Sequence, residues 1–163
     1  MKAELQKKLF KDHAGIFRQR KLSMRVTAMC WGIACGDGWY DMINSLCKKI
    51  EWYIKTHKNI PKIEATQVKE KFGGLRFYYD GGDEVISEFI MEAERLSYKT
   101  CEECGTQTKV KTWYVGWHRT LCIPCAKKLG SYYTPLYFWY FNNIRRKLLK
   151  IRWWIDNKIR RRK

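Results

Sequence analysis

The fold is decided by two short stretches of the 163-residue chain, Cys101-Glu102-Glu103-Cys104-Gly105 and Cys122-Ile123-Pro124-Cys125. They are two Cys-x-x-Cys turns separated by seventeen residues, a spacing typical of four-cysteine zinc sites. Gly105 gives the first turn the permissive backbone that lets amide hydrogens point at sulfur, and Pro124 stiffens the second turn. We therefore predict one structural zinc ion, bound by Cys101, Cys104, Cys122 and Cys125.

Four cysteines could instead form redox dithiols, lie buried in a core or hold an iron–sulfur cluster. The first nine residues mix Lys, Glu, Gln and Leu, so no apolar signal segment is expected and a reducing, cytoplasmic location is predicted. Four thiolates leave no coordination position for substrate, which predicts a structural metal. His118 could replace one cysteine, but a surface or core histidine is the simpler interpretation, and Cys30, Cys35 and Cys47 read as small buried hydrophobes.

Outside the cysteine pairs, sequence periodicity predicts two amphipathic helices, at residues 39–57 and 84–98, preceded by Asp37 and Asp83 as N-caps. Residues 62–69 and 75–79 are predicted strands joined through Gly73-Gly74 as a β-hairpin. Residues 109–113 and 114–119 are predicted to form the hairpin of a zinc ribbon. The predicted fold class is α+β: two amphipathic helices and a β-hairpin with a four-cysteine zinc ribbon, plus a basic C-terminal helix.

Positive charge is concentrated at the two ends of the chain, whose net charge is +17. Residues 1–25 hold eight Lys and Arg against two acidic residues, residues 145–163 hold ten against one, and the rest holds fifteen against thirteen. We predict a basic N-terminal arm with a short amphipathic helix (1–25), an α+β core (26–99), a zinc ribbon (100–128) and an aromatic, basic C-terminal helical extension (129–163). Such ends favour a polyanionic partner, although they could simply maintain solubility.

The C-terminal extension supplies most of the candidate binding residues. Isoleucine and leucine recur every three or four residues from Ile144 to Ile159, which predicts an amphipathic helix with a basic face. Basic residues interleaved with tryptophan suit nucleic acid, with charges on phosphates and rings stacked on bases. The candidates for binding nucleic acid or a partner are Arg145, Arg146, Lys147, Lys150, Arg152, Trp153, Trp154, Lys158, Arg160, Arg161 and Arg162.

The same composition leaves four other interpretations of this helix open. It could lie on an anionic membrane with Trp153 and Trp154 at the headgroups. The aromatic run at residues 132–141 does not predict a membrane span, because it is far shorter than the ~20 residues that a span requires. It could enter a groove on another protein or pair with a second copy of itself. It could also pack back on the domain as one more core helix.

A metal-dependent nuclease is the alternative from another functional class. Asp37 and Asp41 with Glu70 and Lys71, or Glu64 with Gln67 and Lys69, would offer carboxylates and a lysine to a catalytic metal. A helix cap, a first-turn acid and a solvated hairpin explain the same residues without catalysis. We therefore expect a protein that is not an enzyme.

Four motifs resemble a family of small, uncharacterised proteins of bacteriophages and prophages. They are Cys35-Gly36-Asp37-Gly38-Trp39-Tyr40-Asp41, then Val68-Lys69-Glu70-Lys71-Phe72-Gly73-Gly74-Leu75-Arg76-Phe77-Tyr78, then Ala93-Glu94 through Thr100-Cys101-Glu102-Glu103-Cys104-Gly105, and the segment from Gly116-Trp117 through Thr120-Leu121-Cys122. The resemblance covers about residues 30–126 and implies a phage origin but no mechanism. The two basic ends lie outside it.

These observations together predict a phage-type accessory binding protein with a structural zinc site. Its expected partner is nucleic acid or a nucleic-acid-handling complex of the host, and it would act in the host cytoplasm. One specific form is an inhibitor of bacterial defence, such as an anti-CRISPR protein. The alternatives are a metal-dependent nuclease and a membrane-surface or self-associating protein.

Overall fold

Two sheets and four helices enclose a main core and a smaller second core. The computed structural model describes residues 1–114, 117–129 and 134–135. The helices are α1 (Ala3–Asp12), α2 (Tyr40–Thr56), α3 (Glu84–Ser97) and α4 (Ile123–Lys128). The strands are β1 (Ile33–Ala34), β2 (Glu64–Lys71), β3 (Gly74–Asp80), β4 (Val110–Tyr114), β5 (His118–Cys122) and β6 (Thr134–Pro135). The predicted α+β class is confirmed.

The first sheet has the order β1-β2-β3, with β1 parallel and β3 antiparallel to the central strand β2. Its inner face shares the main core with α2 and α3 through side chains that include Val68, Leu75, Phe77, Ile50 and Ile90. The second sheet has the order β5-β4-β6 and is antiparallel. It packs over the second core, which contains Leu121 and Ala126 beside the cysteines.

The two predicted amphipathic helices are confirmed, but only one of the two predicted caps is. The Asp83 side chain accepts a hydrogen bond from the backbone N–H of Ile86 at 3.0 Å and caps α3. Asp37 makes no such bond, so the predicted cap of α2 is wrong. Its carboxylate instead accepts from the backbone N–H of Lys2 at 2.7 Å and pairs with the Lys2 ammonium. Asp37 therefore fastens the N-terminal segment to the chain before α2.

The β2–β3 hairpin is also confirmed, and its turn lies one residue earlier than predicted. Lys71 pairs with Gly74, so Phe72 and Gly73 are the two turn residues, with φ of 54° and 80°. Two positive φ values are the pattern of a type I′ turn, whose twist matches that of the strands. Gly74 belongs to β3 and has no room for a side chain, because a Cβ there would lie 2.4 Å from the ring of Tyr98.

The N-terminal segment packs in the main core, although the sequence suggested a separate basic arm. Leu9 of α1 is buried together with Ile16 and Phe17. His13 is buried as well, and its two ring nitrogens lie 2.8 Å from a Glu51 carboxylate oxygen and 2.9 Å from the Asn44 amide oxygen. The positive charges of this segment therefore lie on the outside of a folded layer.

The predicted C-terminal helix lies outside the described residues. Beyond α4, only β6 is described, and it pairs Thr134 with Tyr114 and Pro135 with Trp113. None of the helices in the described part of the chain has the length and apolar character that crossing a membrane requires.

Replacing Phe17 with alanine tests the place of the N-terminal segment in the core. The fully buried ring lies 5.3 Å from that of Phe10 and 6.4 Å from that of Phe77, between centroids. Phe17→Ala should lower the free energy of unfolding by about 3–5 kcal/mol in urea titrations, because it leaves a cavity. The matched control Met24→Ala, at an exposed position, should change it by less than about 0.5 kcal/mol. Equal effects of the two substitutions would show that residues 1–25 form a detached arm.

Candidate metal centre and basic–aromatic surface

The four cysteines are brought together by two turns at one end of the second sheet. Cys101 and Cys104 lie in the turn that follows α3. Cys122 ends β5, and Cys125 lies in the first turn of α4, whose second residue is Pro124. Gly105 closes the first turn with φ of 77°, and its N–H donates to the carbonyl of Cys101 at 2.9 Å. β4 and β5 form the predicted ribbon hairpin, but Tyr114 belongs to β4 and the second strand begins at His118, later than predicted.

The four sulfur atoms are spaced for one metal ion. All lie within 4.8 Å of one another, and the Sγ atoms of Cys104 and Cys122 are 3.7 Å apart. Tetrahedral coordination with metal–sulfur bonds of about 2.3 Å places ligand sulfurs roughly 3.8 Å apart. A disulfide needs about 2.05 Å, and all four cysteines are free. The cluster can therefore hold a metal ion.

Hydrogen bonds and burial shift the pKa values of three of the clustered thiols in different directions. Burial opposes ionisation of Cys101, but the backbone N–H groups of Cys122, Cys104 and Glu103 donate to its sulfur and lower its pKa overall. The N–H of Thr106 acts on Cys104 in the same direction, yet burial and the neighbouring thiols raise the pKa of Cys104. Burial and the same neighbours raise the pKa of Cys125. Four sulfurs this close ionise together only when a cation shares their charge.

A glycine-containing loop before α2 packs directly on the backbone of the first cysteine turn. Gly38 donates its N–H to the carbonyl of Glu102 at 2.8 Å. A Cβ on Gly36 would lie 2.2 Å from that same carbonyl oxygen, and a Cβ on Gly38 would lie 2.3 Å from the carbonyl oxygen of Cys101. Next to this loop, the indole N–H of the buried Trp39 donates to the carbonyl of Thr100 at 2.9 Å. These contacts join the main core to the metal site.

Glu102 links the same loop to the ribbon hairpin from inside the cysteine turn. It is only 5% exposed, and one carboxylate oxygen accepts from the N–H of Gly36 at 2.9 Å. The other oxygen lies 3.4 Å from Nε of Arg119 on β5, whose guanidinium also pairs with Glu103. Burial raises the pKa of Glu102, and Arg119 and the Gly36 N–H oppose that rise. The sequence does not predict that Glu102 links these two segments. The one sign of it in the sequence is the pair of acidic residues inside the first Cys-x-x-Cys turn.

The carboxylates considered for a nuclease do not gather in the structure. Asp37 binds Lys2, and Glu70 accepts a hydrogen bond from the N–H of Gly73 at 2.6 Å. Glu64 faces Arg18 and Gln19. Within residues 1–114, 117–129 and 134–135, the four cysteines are the one group of His, Cys, Asp and Glu side chains close enough together to hold a metal.

Of the three remaining cysteines, which the sequence predicts to be buried, two are buried and Cys30 is not. Cys35 and Cys47 are buried, and burial raises the pKa of the Cys35 thiol to about 12 and that of Cys47 as well. Cys30 is half-buried and donates to the carbonyl of Thr27. His118 lies on β5 and is not one of the clustered ligands.

A second candidate site lies on the outer face of β2 and β3, where the sequence indicated only a solvated hairpin. Three cations there lie over aromatic rings: Lys69 over Tyr78, Lys71 over Phe72 and Arg76 over Tyr98, at 5.7, 5.6 and 6.0 Å from the ring centroids. The three rings are exposed. We call these six residues the basic–aromatic surface. The eleven candidate residues from Arg145 to Arg162 lie outside the described part of the chain.

Comparison with protein-family models, with curated proteins and with solved structures finds no match to this chain.

Removing one sulfur ligand tests the metal centre. Cys101→Ser should abolish stoichiometric metal binding and lower the thermal unfolding temperature, because three thiolates hold a metal more weakly than four. Metal content is measured by elemental mass spectrometry on the purified protein. Cys30→Ser is the matched control and should retain the metal, since a serine hydroxyl can keep the hydrogen bond to Thr27. Equal metal content in Cys101→Ser and the parent protein would contradict the assignment.

Filling the contact between loop and turn tests whether it joins the two cores. Gly38→Ala forces a methyl group against the carbonyl of Cys101 and should lower the free energy of unfolding by about 1–3 kcal/mol. Gly15→Ala is the matched control, because no atom lies within 4 Å of its Cβ position. It should leave stability unchanged or raise it by up to about 1 kcal/mol. Calorimetry compares the two, and an unaffected Gly38→Ala variant would contradict the close packing.

Proposed function

We propose that the metal is zinc and that its role is structural. Four thiolates at tetrahedral spacing suit this ion, and all four coordination positions are then filled by protein. Bound zinc would stabilise the four cysteines as thiolates. It would thereby hold the two cysteine turns together and fix the ribbon on the loop before α2. An iron–sulfur cluster is the competing occupant of four cysteines.

Metal analysis distinguishes zinc from the iron–sulfur cluster. The protein purified without added metal should contain one equivalent of zinc and show no visible absorption. Replacing that metal with Co²⁺ should give the absorption bands of a tetrahedral thiolate site. Stoichiometric iron with sulfide-dependent visible absorption would contradict the proposal.

We further propose that the protein binds nucleic acid without catalysis, as a phage-type accessory protein. The observation that carries this proposal is the basic–aromatic surface on the β2–β3 hairpin. Lys69 and Lys71 form no salt bridge with a carboxylate among the described residues, whereas Arg76 lies 3.9 Å from a carboxylate oxygen of Glu94. Cations beside exposed rings are the combination that single-stranded nucleic acid requires.

The register of the hairpin supports an anionic partner. Lys69 and Arg76 are directly opposite one another across the two strands. Like charges in such cross-strand pairs destabilise a sheet. Glu94, 3.9 Å from the Arg76 guanidinium, offsets part of that cost, and a phosphate beside Lys69 would offset the rest. Lys69 and Lys71 are two residues apart on one strand, about 6.6 Å along its axis, so each can contact a different phosphate of an extended chain.

The exposed rings supply the second part of the interaction. Tyr78 lies on the outer face beside Lys69. The ring of Tyr98 lies beside Arg76, whose guanidinium donates a hydrogen bond to the Tyr98 hydroxyl at 3.1 Å. A base stacked on such a ring contributes about 1–3 kcal/mol to binding. The basic residues from Arg145 to Arg162 would add charge-dependent affinity to this surface.

The target of the proposed activity is nucleic acid or a nucleic-acid-handling complex of a bacterial host. The resemblance of four motifs to those of phage and prophage proteins and the net charge of +17 support it. Inhibition of a bacterial defence complex that contains RNA or DNA, as by an anti-CRISPR protein, is one form that this activity would take.

Salt titration of oligonucleotide binding tests the surface. The parent protein should bind single-stranded RNA or DNA with an affinity that falls steeply with salt. In Lys69→Gln/Lys71→Gln, the slope of log K against log salt concentration should fall by about 1.4, since each phosphate contact with a single strand contributes roughly 0.7. Fluorescence anisotropy gives both slopes.

The matched control is Lys48→Gln/Lys55→Gln, which removes the same charge from exposed positions of α2. It should leave the salt slope within about 0.3 of the parent value. If the two double variants lose equal slope, the binding is not localised to the hairpin. If the parent protein binds neither RNA nor DNA, the proposed function fails.

A further inference from the structure

A cleft of about 350 Å³ lies between the β2–β3 turn and the described residues at the adjoining ends of β4 and β5. One wall comes from the end of β2 and its turn, with Glu70, Lys71 and Phe72, and the other from the β4–β5 hairpin. The described residues of the second wall are Tyr114, Trp117 and His118. This volume is in the lower part of the range of small-ligand sites, about 300–1,000 Å³, and suits a single planar ring system.

The two hairpins are fixed to each other at the base of this cleft. The hydroxyl of Thr120 donates to the carbonyl of Gly73 at 2.5 Å and lies 3.1 Å from the hydroxyl of Thr112. Gly73 fits closely against the ribbon, because a Cβ there would lie 2.7 Å from the Thr112 methyl group. The cleft is therefore formed by packed elements rather than by loops alone.

Phe72 is placed in this cleft against the preference of its own backbone. Its φ of 54° lies in the left-handed region, where a bulky side chain is an outlier and where turns of this type favour asparagine or glycine. The ring gains little from burial, since the residue is 65% exposed. A strained, exposed aromatic residue contributes little to stability, which points to a role in contacting a ligand.

The cleft is lined by aromatic rings. The His118 imidazole lies near two of them, with centroids 6.0 Å from Phe72 and 5.4 Å from Tyr114, and its Nε2 is buried without a hydrogen-bond partner among the described residues. Trp117, a further lining residue, is 64% exposed. A ligand that fits must therefore offer a flat face to these exposed rings.

We propose that this cleft binds one unpaired base of a single-stranded nucleic acid, which rests on the proposed function. The base stacks on Phe72 and Trp117, beside the imidazole of His118. Lys71, at the mouth over the Phe72 ring, faces the adjoining phosphate. Only an unpaired base can enter, so the cleft selects single strands.

The variant that tests this inference removes the ring while relaxing the turn. Phe72→Asn places a residue that tolerates positive φ before Gly73, so its thermal unfolding temperature should equal or exceed that of the parent protein. Its affinity for a labelled oligothymidylate of about twelve nucleotides should fall roughly five- to a hundredfold. Phe72→Tyr keeps a ring at the same place and should retain the parent affinity.

An oligonucleotide of the same length that lacks all bases shows whether the loss concerns the base. The parent protein should bind it more weakly than oligothymidylate, and Phe72→Asn should bind the two equally. The matched oligouridylate distinguishes RNA from DNA as the preferred strand. Trp117→Ala, at an exposed position, should reduce the preference for the base-containing strand in the same way.

Two results would overturn the inference, and they differ. If Phe72→Asn and Trp117→Ala bind oligothymidylate and oligouridylate as tightly as the parent protein, the cleft binds no base while the proposed function stands. If the parent protein binds none of the oligonucleotides, both the inference and the proposed function fail.

Discussion

The contact between the backbone of residues 36–38 and the first cysteine turn is the constraint on which the two-core structure depends. Both partners are main chain, and the hydrogen bond from Gly38 to the Glu102 carbonyl requires a separation that no side chain can occupy. The carboxylate of Glu102 accepts hydrogen bonds from the N–H of Gly36 and from the guanidinium of Arg119 on β5. The cysteine turn is thus fixed on the main core from one side and on the ribbon from the other.

The sequence predicts those features whose partners are near in the chain. The cysteine spacing predicts the cluster, and Asp83 predicts the start of α3, because the capped N–H lies three residues away. Asp37 fails as a predicted cap because its partner, Lys2, is 35 residues distant and competes for the carboxylate. The prediction that Gly74 lies in the turn is wrong. A glycine is required there because of the close contact with the ring of Tyr98, and Tyr98 is too distant along the chain for the sequence to show that contact.

Charge alone gives an incomplete picture of the N-terminal segment and of the candidate binding residues. Leu9, Ile16 and Phe17 are few among the basic residues of the N-terminal segment, so its net charge suggests a separate arm. Because these three side chains are buried, the segment is instead a layer of the core. The lysines of β2 look like ordinary solvated residues, because nothing in the sequence places Lys69 opposite Arg76 or Tyr78 beside it. Cross-strand register, a tertiary property, creates that surface.

The metal centre and the proposed binding site are connected through the ribbon hairpin. β5 begins at His118, in the cleft, passes through Thr120, which bonds to Gly73, and ends at the ligand Cys122. A metal that fixes Cys122 therefore also fixes the wall of the cleft. Under the proposed function, the cysteine cluster would have a structural role, and recognition would fall to Phe72 and the surrounding cations.

Mapping the bound oligonucleotide on the protein by NMR tests this account most directly. A titration of the ¹⁵N-labelled, metal-bound protein with single-stranded oligonucleotide should shift the amide resonances of residues 69–78 and of Trp117 and His118, while those of α2 remain unchanged. Shifts confined to α2 and other positions away from the two hairpins would contradict the account.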